Sequence, residues 1–394
     1  MSRPGHPSLL RAINDRAALE ALLDRGPLTR TEIGAHTGLS KPTASQLLSR
    51  LRDAGLVVAD GIRAGAPGRT AELYRINPAA GYAAGLDVTA ARLVARITDL
   101  TGEVVGEARL DTPGRQADSA VRRVREALRR AAAPADLDPS RVRHVVVGAP
   151  GAINPATGRL GYAAHLPGWH EAHILDRLAD DLGVPVDFEN DVNLVAIAEA
   201  ATGAAAGSPN FALLWAAEGV GMAVVLGGAL HRGATGGAGE VGYMPVAGAP
   251  VVRDVSRANT GGLQKQIGGT AVRRLLREHG FGGRSAPDAL ARTAAARGDA
   301  RADAALGELA TRMATGLAAI TSVLDPELIV LHGHVPLAGG EPLRHRVEAE
   351  LYSMTIPRPR LRLGTVGGSP VLAGALELSL AAVRDSVFDD TVRS

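Results

Sequence analysis

The stretch "LTRTEIGAHTGLSKPTASQLLSRLRDAGLV" at 28–57 constrains the fold more than any other. Thr29 can cap a short helix running through His36, with Glu32 three residues on to complete a capping box. Thr37-Gly38-Leu39 makes a tight turn, and Ser40 caps a second helix with Pro42 in its first turn. Leu47, Leu48 and Leu51 then share an inward face, and Lys41, Thr43, Ser45 and Gln46 are left outward near the N-terminal end. Two short helices about a tight turn, the second presenting polar residues first, have the geometry of a helix-turn-helix that reads major-groove base edges.

The flanks extend this unit. "RAINDRAALEALLDRG" at 11–26 places Ile13, Ala17, Leu19, Leu22 and Leu23 on a broad apolar helical stripe that Gly26-Pro27 ends. After Gly55 the chain reads as a strand and a hairpin with Arg63 and Arg69 near its tip, a basic wing suited to phosphates or the minor groove. Thr29, Arg30, Ser40, Lys41, Thr43, Ser45, Gln46, Arg50, Arg63 and Arg69 are the candidate DNA-facing residues. Residues 1–80 carry 11 Lys+Arg against 7 Asp+Glu, whereas the other 314 residues are slightly acidic. Positive charge therefore collects where an acidic partner such as double-stranded DNA would sit. The bland alternative is a small helical domain that binds protein.

Residues 81–394 read differently. Strands around Leu86–Val88, Leu93–Ile97, Val145–Val147, 184–190, 211–226 and 327–332 alternate with helices over 118–132, 192–202, 270–279, 300–323 and 371–384. Strand clusters repeated twice with helices between them predict a two-lobed α/β body with a cleft, joined to the first unit through a hinge at 77–84. No apolar run approaches the ~20 residues of a membrane helix. The chain has no cysteine, which excludes disulfides and thiolate metal sites. With no signal-peptide pattern, a cytoplasmic protein is expected.

With these elements placed, the chain resembles the ROK family (repressors, open reading frames and kinases), over about residues 8–385. It is similar to the branch in which a winged helix-turn-helix precedes an actin-like sugar-kinase body. "GLSKPTASQLLSRLRDAGLV", "FENDVN" and "GATGGAGEVGY" carry the likeness. The resemblance implies a sugar gripped by Asn190, Asp191 and Glu240, with Tyr243 and Gln264 in the pocket and Pro150 and Gly151 along the wall. A pure cap for the following helix is the competing role for Asn190-Asp191. Trp169 reads either as a loop aromatic at the cleft mouth or as a core residue.

The family's phosphate loops are altered. Asp-x-Gly-Gly-Thr is here Asp87-Val88-Thr89-Ala90-Ala91, Gly-Thr-Gly-x-Gly is Ala217-Glu218-Gly219-Val220-Gly221, and the third glycine turn is His332-Gly333-His334. Added Cβ atoms obstruct close approach of an anion to the backbone, and Glu218 opposes it by charge. The family's zinc-binding cysteines fall on Val255, Arg257 and Gly262 and its histidine on Tyr243, none a thiolate or imidazole, and the motif's final Glu is Gln264; the loose cluster His165, His170 and His173 offers no replacement spacing. The expectation is a sugar-sensing transcriptional regulator, a repressor, with no catalytic residues, metal or cofactor. It would act as a homo-oligomer, dimer or tetramer, on an operator. The rivals are an active ATP-dependent sugar kinase and a regulator with a vestigial cleft controlled by a protein partner.

Overall fold

A computed structural model describes residues 7–64, 70–112, 119–154, 158–161, 166, 168–169, 171, 173–249, 251, 253 and 260–393. Helix α1 (Pro7–Arg25) and strand β1 (Leu28–Thr29) lead into α2 (Arg30–Thr37), α3 (Lys41–Asp53) and the hairpin β2 (Val57–Ala64) and β3 (Thr70–Ile76). The expected caps are in place. Thr29 accepts from the Glu32 N–H while Glu32 accepts from the Thr29 N–H, and Gly38 closes α2 at φ 69°. Ser40 accepts from the Thr43 N–H at the start of α3. The three strands pair antiparallel in the order β1-β3-β2. On α1 the buried face runs through Asp15, Ala18, Leu19, Ala21 and Leu22; Ile13, expected on the apolar stripe, is turned out and 54% exposed.

The first lobe contains β4 (Tyr82–Val88), β5 (Arg92–Asp99), β6 (Val104–Asp111), α4 (Ala120–Ala132), β7 (Val142–Ala149), the small ribbon β8 (Ala152–Asn154) and β9 (Arg159–Gly161), α5 (Ile174–Leu182) and β10 (Val186–Asn190). After α6 (Asp191–Thr202) the second lobe follows: β11 (Phe211–Ala216), β12 (Val220–Leu226), β13 (Ala229–Leu230), α7 (Gln264–Ile267), α8 (Gly269–Glu278), α9 (Ala286–Ala295), α10 (Ala300–Leu324), β14 (Leu328–His332), α11 (His334–Met354) and β15 (Arg360–Leu363). Helix α12 (Pro370–Arg393) ends the chain.

The sheets are β6-β5-β4-β7-β10 and β13-β12-β11-β14-β15. In each, the lobe's first three strands form an antiparallel meander and its fourth and fifth add parallel to the first. One topology is thus used twice. In the first lobe α4 and α5 cover one face and α12 the other, and Trp169, 3% exposed, lies in the α4 side of that core. The core reading of Trp169 is therefore the correct one. In the second lobe α8–α11 cover one face, and α6 packs Val192, Val195 and Ala196 against Leu213, Ala223 and Val330 on the other.

The chain crosses between lobes after α6 and again between β15 and α12. One carboxylate holds both crossings. Glu199, fully buried on α6, accepts from the N–H groups of Ala204 (2.6 Å), Thr365 (2.7 Å) and Val366 (2.8 Å), with His332 Nε2 3.3 Å away. A Cβ at Gly203 or Gly364 would overlap this group or its histidine neighbour. Burial pushes the Glu199 carboxyl up, but His332 and the backbone N–H groups outweigh it and hold the pKa below the ordinary range.

The 77–84 segment differs from the flexible joint expected. Asn77 donates to the Gly55 carbonyl and caps a single 3-10 turn at Pro78–Ala80, and β4 has begun by Tyr82. The core under the helix-turn-helix also continues past it. Leu19, Ile33, Leu47 and Leu51 pack in one cluster with Ala83, Leu100, Leu380, Val383, Val387 and Phe388. Arg16 on α1 pairs with Asp385 on α12 at 2.5 Å. The first unit is docked on the last helix.

Candidate functional site

The cleft lies at the C-terminal ends of β7, β10 and β11, where open α/β sheets commonly place ligands. Asn190 ends β10 and caps α6: Oδ1 accepts from the N–H groups of Val192 (2.9 Å) and Asn193 (3.3 Å). Nδ2 donates to the Gly151 carbonyl at 3.1 Å, leaving one amide hydrogen for a ligand. Gly151 sits at φ 98°, a conformation that favours glycine, and Pro150 precedes it on the same wall. The cap is thus present, and it holds the pocket wall as well.

Asp191 begins α6, half-buried, with Oδ1 accepting from the Val192 N–H at 2.9 Å. Burial pushes its carboxyl up to about 6; the Val192 bond opposes this, and the charges of Asp87 and Glu240 add to it. Glu240, across the cleft, is also raised by burial, and its carboxylate has no hydrogen-bond partner among the described residues. Tyr243 follows in a one-turn helix at Val241–Tyr243 and lines the same cavity. Gln264 lines it too, but its amide braces the neighbouring turn: Oε1 accepts from the Val220 N–H at 2.7 Å and Nε2 donates to the Glu218 carbonyl at 2.6 Å. The structure thus brings all seven sugar-site candidates to one cavity of about 430 Å³.

Some backbone amides of the turns around the cleft are occupied within the turns themselves. Thr89 and Arg92 close a turn on themselves, N–H to carbonyl at 2.8 Å and Arg92 N–H to the Thr89 hydroxyl at 3.1 Å. In the 217–221 turn the Ala217 N–H donates to the Gly219 carbonyl and the Gly269 N–H to the Ala217 carbonyl. Asp87, buried, faces Arg92 at 3.7 Å and Ser369 at 3.4 Å. Away from this cavity, Arg232 of the second lobe pairs with the buried Glu189 of the first at 2.7 Å.

On the helix-turn-helix, Ser40, Lys41, Thr43, Ser45 and Gln46 are exposed on one side of α3, and Arg30 reaches Ser45 at 3.4 Å. Thr29 is turned in, 8% exposed, with its hydroxyl in the capping box, so it positions the helix rather than offering DNA a side chain. Arg50 is half-exposed but pairs at 2.7 Å with the buried Asp15, bracing α1 to α3. Arg63 stands on the wing and pairs with Glu32 at 2.7 Å; Arg69 lies outside the described residues.

A ROK family model matches residues 83–380, and a MarR family model matches residues 13–65. The chain belongs to the ROK family. A xylose repressor from Caldicellulosiruptor bescii is 24% identical over 380 residues, 91% of this chain and 94% of that protein. A glucokinase from Halalkalibacterium halodurans is 29% identical over 58% of this chain and 73% of its own. Among solved structures, a ROK family transcriptional regulator homologous to the E. coli MLC protein superposes with a TM-score of 0.73 at 20% identity, covering 97% of this chain and 99% of that one.

Within this ROK chain, sequence reading missed Trp215 at the cleft. Trp215 carried a signal: an aromatic two residues before the 217–221 turn stands at a strand's C-terminal end, where ligands bind. Among the described residues no helix is long and apolar enough to cross a membrane.

Proposed function

We propose that this protein is a DNA-binding transcriptional repressor that senses a sugar in its cleft and does not phosphorylate it. The observation carrying this is the cavity itself. It holds Glu240, with no hydrogen-bond partner among the described residues, and the raised Asp191, both acceptors suited to hydroxyls. Phosphoryl transfer rests on positioning and on charge stabilisation of the phosphates, and Glu218 adds an opposing charge there. Zinc does not fit either. Tyr243 and Gly262 supply neither thiolate nor imidazole, and the Gln264 amide is committed to the backbone. Val255 and Arg257 lie outside the described residues.

The coupling route follows from the packing. Ligand touches the first turn of α6, the far end of α6 carries Glu199 at the lobe crossings, and α6 packs along α12, on which the reading head is docked. A ligand that favours one lobe arrangement thereby moves α12 and, in a cytoplasmic symmetric dimer, the spacing of two α3 helices about one DNA turn (~34 Å) apart.

Capture of fragmented genomic DNA on the full chain identifies an operator, and anisotropy titrations with pentoses and hexoses follow. One sugar should change operator affinity by about fivefold or more, with no ADP formed from ATP and magnesium. A sugar that binds tightly yet leaves operator affinity unchanged removes the sensor reading, and stoichiometric ADP release makes the protein a kinase.

A further inference from the structure

We propose that the cleft takes a neutral two-ring glycoside, its second ring lying on the Trp215 indole beside the Glu218 carboxylate. This rests on the reading of the cleft as a sugar site and extends it. A single pyranose at interior packing density fills on the order of 200 Å³, about half of the 430 Å³ cavity. Asn190, Asp191 and Glu240 would grip one ring, and Trp215, Glu218 and Gly219 also line the cavity.

Trp215 is the penultimate residue of β11 and half-buried; the ring of His332 stacks on it at 5.3 Å and 17°, and that of His334 lies tilted 6.5 Å away. Its cross-strand partner on β12 is Gly221, which has no side chain to cover the ring from that strand. Both residues line the cavity. Glu218 is exposed with no side-chain hydrogen bond among the described residues, its carboxylate against Gly269 at the start of α8, on a turn fixed through its backbone by Gln264. An apolar ring face in a cavity that also offers acceptors suits a pyranose, whose C–H face stacks while its hydroxyls donate.

The charge of the cavity sets the ligand class. Among its described lining residues stand three carboxylates, Asp191, Glu218 and Glu240, and no lysine, arginine or histidine. Sugar phosphates and uronates would meet like charge without a counterion. Neutral glycosides would not.

The test is calorimetric titration of the full chain with xylose, glucose and galactose against xylobiose, cellobiose, maltose, lactose and sucrose. At least one disaccharide should bind tenfold more tightly than either of its component sugars. It should also quench the fluorescence of Trp215, the other tryptophan being the core residue Trp169. Trp215→Ala and Glu218→Gln should each return disaccharide affinity toward the monosaccharide value, leaving monosaccharide binding within twofold. Glu218 is exposed, so its variant reports even where Trp215→Ala unfolds. Monosaccharides binding as tightly as their disaccharides overturn the second subsite alone. Binding of no sugar at all overturns the sugar-sensing reading together with it.

Discussion

At Asp191 a helix start and a crowded cleft pull one carboxyl in opposite directions. The first turn of α6 favours the ionised form, whereas burial and the neighbouring acids favour the proton and set the pKa at about 6. Sugar hydroxyls donate to the ionised form. Ligand affinity should therefore rise about tenfold between pH 5 and 7 and flatten above, measured by titration calorimetry. Asp191→Asn should bind more weakly, show no such step, and retain operator binding. A flat profile in the unmodified chain would remove Asp191 from the ligand. The sign for folding is opposite: the native state holds this proton above the ordinary aspartate value of 3.8, so ionising Asp191 costs stability as pH climbs from about 4 to 6.

In the proposed regulator, helix α3 would make two kinds of DNA contact. Lys41→Ala should weaken all sequences alike and lower the salt dependence by about one unit of slope. Gln46→Ala should cost about 1–3 kcal/mol against the operator and relax one base position. Anisotropy from 50 to 200 mM salt on operator and scrambled duplexes separates them; equal effects on both duplexes would make Gln46 a backbone contact. This helix was legible in the sequence because its signals are local: the Ser40 cap, Pro42 and the leucine spacing. Helix α11 was not, because Gly339, Gly340 and Pro342 interrupt its pattern, and the helix is in fact broken at Gly340 (φ 57°). In the cleft, Asn190, Asp191 and Glu240 were legible from their motifs. The bracing role of Gln264 was not, since its partners lie 44 and 46 residues away.

Across the whole molecule the decisive contacts are the distant ones. Glu199 meets its partners 166 and 167 residues on, and Arg16 meets Asp385 across 369. Local pattern holds no trace of such pairs, so the sequence suggested a hinge at 77–84 where the structure has a shared core. Phe388, 3% exposed, tests the difference. Phe388→Ala should cost about 3–5 kcal/mol and, by loosening the reading head's seat, abolish operator binding before sugar binding. Calorimetric unfolding and anisotropy read both. Unchanged operator affinity with a lowered melting temperature would mean the head stands without α12.

That docking has a consequence for the order of folding. The core under the helix-turn-helix draws on Ala83, Leu100 and residues 380–388 as well as on α1–α3, so its contacts join segments far apart in sequence. Such non-local contacts form slowly. The reading head should therefore reach its final packing in the same step as α12, and not ahead of it.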